Sequence, residues 1–186
     1  MVAIRPLISA RRGTASGERK WGACGRSTAA ALLAVAATLL LSAGPAGAAS
    51  NKVRITNLGD VAFGTLANLG VDAVRSENVC LYADTNTNGY NLTATGTGPG
   101  GAFELTSGAG SMNYEVQWSS SSGQSSGAQL TANVPLTGQT STGTHQTCSN
   151  GPATTASLIV VLRSSALSSA TAGDYNGTLT LLVGAE

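Results

Sequence analysis

After residue 50 the chain repeatedly alternates apolar and polar residues over short runs, and glycine, asparagine, aspartate and serine punctuate them. Period-two alternation puts one apolar face on an extended strand, so the pattern predicts β-structure. Val53 and Ile55 alternate before a turn at Gly59-Asp60, and Val61–Leu66 forms the next run. Val79–Tyr82 and Tyr90–Thr95 flank a polar turn over Asp84–Gly89. Gly96–Gly101 interrupts the pattern before Phe103 and Leu105, after which Met112, Tyr114, Val116 and Trp118 fall on one face of a predicted strand. Ser119–Gly127 is low in complexity and reads as a loop. Leu130, Ala132 and Val134 predict another strand, stopped by Pro135, and Thr137–Pro152 reads as a long polar connection. Ser157–Arg163 is continuously apolar through Leu158–Leu162, as a central strand buried on both faces requires. In the last run, Tyr175, Gly177, Leu179, Leu181 and Val183 share one face, and Asn176, Thr178, Thr180 and Leu182 share the other. The pattern predicts seven to nine short strands, no long helix and a two-sheet sandwich.

The first part of the chain reads differently. Arg5, Arg11, Arg12, Arg19, Lys20 and Arg26 precede an apolar stretch from Ala29 to Leu41, and Ala46-Gly47-Ala48 follows. A basic segment, an apolar core and small residues at a cleavage position have the layout of a secretion signal. The apolar run is short for a membrane span, which needs about 20 residues. The expected division is therefore residues 1–48 as a cleaved signal and residues 49–186 as one domain.

Taking away such a leader changes the charge balance. The whole chain has a formal charge of +1. Residues 49–186 keep only Lys52, Arg54, Arg75 and Arg163 against eight carboxylates, a formal charge of about −4. That argues against nucleic acid as a partner, because phosphate binding needs a concentrated basic surface. Cys80 and Cys148 are the only cysteines after the leader, and an even pair in an exported chain reads as a disulfide. Closing a loop of about 69 residues contributes roughly 4 kcal/mol through the unfolded state. His145 lies near Cys148, but two candidate ligands three residues apart in a Ser/Thr-rich loop do not make a zinc site. No metal and no cofactor are expected. The carboxylates are dispersed and His145 has no identifiable nucleophile to serve, so the chain does not read as an enzyme.

Four pieces of sequence, in this order, resemble the spore coat protein U domain family, which includes subunits of archaic chaperone-usher pili. They are Phe63-Gly64-Thr65-Leu66, Cys80 followed by Tyr90-Asn91-Leu92, Tyr114-Glu115-Val116-Gln117-Trp118, and the ending Ala172-Gly173-Asp174-Tyr175-Asn176-Gly177-Thr178-Leu179-Thr180-Leu181. The resemblance implies an incomplete immunoglobulin-like two-sheet sandwich whose missing strand comes from a periplasmic pilus chaperone and later from a neighbouring pilus subunit, with an outer-membrane usher as a further partner. On this implication Tyr175, Leu179, Leu181 and Val183 line or border the groove that accepts the donor strand; the Tyr175 ring also reads as an ordinary core aromatic. The chain would pass through the periplasm to the cell surface, a fimbrium or the exterior. A non-fimbrial coat or matrix protein is one alternative. A surface adhesin is another, with Tyr82, Tyr90 and Trp118 as candidate ring faces for a sugar. Residues 49–57 read either as a short donor strand or as the first strand of the domain.

Overall fold

A computed structural model describes residues 2–10, 51–108 and 110–186 of the chain. The apolar stretch Ala29–Leu41 and the cleavage position expected after Ala48 lie outside them. The described residues form an all-β, two-sheet structure with an open sheet, in keeping with an incomplete immunoglobulin-like sandwich.

In chain order the strands are β1 (Val2–Ala10), β2 (Lys52–Thr56), β3 (Val61–Gly64), β4 (Ala73–Asp84), β5 (Gly89–Thr95), β6 (Glu104–Ser107), β7 (Gly110–Asn113), β8 (Glu115–Ser119), β9 (Ala128–Gln129), β10 (Leu136–Thr140), β11 (Ala156–Leu162) and β12 (Tyr175–Ala185). The short helix α1 (Ser164–Ser169) links the last two. One sheet runs β2-β4-β11-β8-β9 and the other β10-β5-β12-β1-β3, with β6 beside β12 and β7 beside β6.

β11 holds the centre of the first sheet, antiparallel to both β4 and β8. Every one of its residues is buried, which explains why its sequence lacks alternation. Ala156, Leu158, Val160 and Leu162 face the core with Leu179, Leu181 and Val183 of β12. On the opposite face, Ser157 Oγ lies 2.9 Å from Asn78 Oδ1 and accepts from the Gln124 N–H at 3.1 Å. The serine-rich stretch 119–127 is therefore tied to the sheet.

β4 changes partner along its length. Ala73–Val79 pairs with β11, and Cys80–Asp84 pairs with β2. Where β11 has ended, two side chains take its place at Leu81. Thr155 Oγ1 accepts from the Leu81 N–H at 2.8 Å and lies 2.8 Å from its carbonyl, to which Ser141 Oγ donates at 2.6 Å. Thr155 and Ser141 are buried, and these bonds satisfy both sides of the contact. Beside them the Cys80–Cys148 disulfide fastens the 141–155 connection to β4.

Several local expectations change. The Met112–Trp118 run is two strands in different sheets, broken at Tyr114, although all four of its alternate apolar residues are buried. The chain crosses between layers there, and the core lies on the same side of both pieces. Leu130–Val134 is not a strand: Leu130 is buried, Asn133 has a positive φ of 63°, and Val134 is exposed. The polar connection after Pro135 contains β10, which pairs with β5 at the sheet edge. Lys52–Thr56 pairs antiparallel with β4 and is a strand of the domain in this structure.

Candidate strand-acceptor slot

β12 has two edges with different occupants. Along one, β5 pairs with Thr180–Ala185 and β6 with Asn176. Along the other, β1 runs parallel to β12, matching Val2–Ala10 with Tyr175–Val183. The far side of β1 meets β3, antiparallel, at Val2, Ala3 and Ile4. β1 therefore fills a slot whose walls are β12 and β3, and it belongs to the same compact unit as residues 49–186. Among the described residues β3 has no other ladder partner.

The alternation of β12 decides what the slot offers. Tyr175, Leu179, Leu181 and Val183 are all buried and belong to the core cluster. Asn176 is exposed and Thr178, Thr180 and Leu182 are half-buried on the other side. The Tyr175 ring is buried in the core, and its hydroxyl donates to the Thr171 carbonyl at 2.9 Å. Gly177 completes the inward set; a Cβ there would come within 2.8 Å of Leu105 Cδ2 and 3.0 Å of the Glu104 carbonyl. The absence of a side chain is what lets β6 approach β12 so closely.

From β3, Val61 and Phe63 are buried and Ala62 is exposed, so this wall also alternates. The sequence marked Phe63-Gly64 as a motif but gave no sign that it faces Tyr175 across a strand. At the end of the slot where Val2 is matched with Tyr175 and Gly64, a pocket of about 330 Å³ opens. Leu66, Leu69, Met112, Leu167 and Tyr175 give it a mainly apolar lining.

The remaining candidate residues lie elsewhere. His145 Nδ1 is 2.9 Å from Ser149 Oγ and 3.0 Å from Thr147 Oγ1, inside its own loop. Among the described residues no group of three or more His, Cys, Asp or Glu is placed to hold a metal ion. Tyr90 and Trp118 are fully buried and edge-to-face, with centroids 6.5 Å apart, so neither presents a ring face to a sugar. Burial pushes the Tyr90 hydroxyl up to about 12, against the opposing effect of its bond with Trp118. Arg163, at the end of β11, pairs with Asp72 at 2.7 Å and with Glu115 at 2.5 Å. This exposed network joins the β3–β4 loop to the sheet.

No family model and no curated protein matches the chain. Among solved structures it is similar to a chain of one described as "Chaperone-tip adhesin complex is vital for synergistic activation of CFA/I fimbriae biogenesis", at 15% identity and a TM-score of 0.46. The likeness covers 73% of this chain and 41% of that one, so the chain spans under half the length of its structural neighbour.

Proposed function

We propose that the chain is a non-enzymatic, secreted structural subunit of a chaperone-usher pilus or a related surface assembly. Its body, residues 49–186, accepts a donor β-strand between β12 and β3, with Tyr175, Leu179, Leu181 and Val183 lining the acceptor groove. The observation that carries this reading is the position of β1: among the described residues, the only strand between those two walls comes from the segment that reads as a cleaved leader. Cleavage after Ala48 removes it and leaves a nine-residue edge of β12 without its ladder partner. An unpaired edge above an apolar core invites aggregation, and an added strand satisfies the backbone while alternate side chains complete the core. The partners on this reading are a periplasmic chaperone, an outer-membrane usher and neighbouring subunits. The route leads through the periplasm to the cell surface.

Coexpression of the full chain with a periplasmic pilus chaperone and usher tests the proposal. The expected product is a stable complex in which the amides of β12 are protected from hydrogen exchange and the mature terminus, read by mass spectrometry, is Ala49. An exported, disulfide-bonded chain that stays a soluble monomer beside both partners would overturn it.

A further inference from the structure

We infer that Val2–Ala10 is a built-in provisional occupant of the slot, which keeps the uncleaved chain self-complemented until the leader is removed. The inference rests on the acceptor reading above and adds its regulation. Three observations carry it.

The first is register. Val2, Ile4, Pro6, Ile8 and Ala10 are matched with Tyr175, Gly177, Leu179, Leu181 and Val183, the inward-facing set of β12. The intervening Ala3, Arg5, Leu7 and Ser9 are matched with Asn176, Thr178, Thr180 and Leu182. A shift by one residue would reverse this assignment, and the observed register is the one that agrees with the alternation of β12.

The second is the extent of pairing. All nine residues of β1 run beside β12, whereas only Val2–Ile4 meets β3, and the register with β3 shifts between Val2 and Ala3. The third is Pro6, which has no N–H to give to a ladder. It stands beyond the last residue paired with β3, where among the described residues β1 has a ladder partner on one side only, the situation in which a strand tolerates proline. β1 thus fits the slot in pattern, but it meets the short β3 only through a shifted register, and beyond Ile4 it has no ladder partner on that side among the described residues. A strand that pairs fully with both walls would displace it.

The test uses the full chain with a sequence-specific protease site placed between Gly13 and Ala48. After cutting under native conditions, the fragment bearing Val2–Ala10 is expected to co-elute with the body in size-exclusion chromatography. Ile4→Pro should abolish retention, because Ile4 is matched on both sides, with Gly177 and with Val61, and a proline there removes a donor whichever way it points. Immediate release of the fragment from a body that keeps its near-ultraviolet circular dichroism would overturn the inference. A synthetic nine-residue Val-Thr alternating peptide separates the two readings. If the cut body binds it but not the fragment, the provisional-occupant inference fails and the acceptor reading stands. If the body binds neither, both fail.

Discussion

Tyr90 and Trp118 join the two sheets through the core, the indole Nε1–H donating to the Tyr90 hydroxyl at 2.9 Å. Tyr90 is on β5 and Trp118 on β8, and both are fully buried. Tyr114 gives a natural control, because its buried hydroxyl has no hydrogen-bond partner among the described residues and burial alone pushes it up to about 12. Tyr90→Phe leaves a buried N–H unsatisfied and should cost about 1–3 kcal/mol in denaturant unfolding. Tyr114→Phe removes a polar atom that makes no bond, so it should be neutral or slightly stabilising. Equal losses from the two variants would contradict this assignment of the core hydrogen bond.

Thr155→Val tests the side-chain substitute for the missing strand at Leu81. The variant keeps the shape of the side chain and leaves the Leu81 N–H without its acceptor, while Ser141 still serves the carbonyl. A loss of about 1–3 kcal/mol is expected. Ser141→Ala should cost less, because Thr155 remains beside that carbonyl. Faster hydrogen exchange at the Leu81 amide in Thr155→Val alone is the local readout.

Asp72 sets an acid limit on the loop that leads into β4. The Ser164 N–H and then the Arg163 guanidinium hold its carboxyl below the usual carboxylate range. The unfolded state therefore takes up a proton at higher pH than the folded one. The stabilisation is fully present above the unfolded value near 3.9 and is lost as pH falls through the folded value. Asp72→Asn should flatten the fall in stability below about pH 5. Because the site is exposed, added salt should weaken the Arg163 contribution. A variant whose acid unfolding curve overlays that of the parent chain would remove Asp72 from this role.

Gly177→Val addresses the close approach of β6 to β12. The new side chain would meet Leu105 and the Glu104 carbonyl, so β6 must move away. Overpacking of this kind costs about 1–3 kcal/mol. Met112, carried on β7 behind β6, lines the pocket at the slot's end, so the same variant should weaken binding of a strand in the slot. Thr178→Val, one residue along on the outward face, should leave both properties near those of the parent chain.

Legibility in the sequence followed how locally each feature is determined. β12 was readable as Tyr175–Val183 because one face packs on the core and the other meets water, and β11 because both of its faces are covered. The first half of β4 was not, since Ala73–Asn78 is mostly polar and exposed, and its pairing with β11 rests on backbone bonds that carry no side-chain signature. The same holds for β10. The break at Tyr114 was invisible for the opposite reason: a chain that crosses between layers while keeping its apolar side on one core retains the alternation of an unbroken strand. Of the slot, the sequence supplied the β12 wall by its alternation and, by resemblance, a role for it. That β3 forms the opposite wall, and that residues 2–10 have the register to lie between them, depended on contacts between segments far apart in the chain. By itself the sequence determined most of the apolar positions that are buried, with Val134 an exception, and that paired strands would bury them. Tertiary structure decided which edges meet, because backbone hydrogen bonding is nearly indifferent to side-chain identity and is settled only when the layers close on a common core.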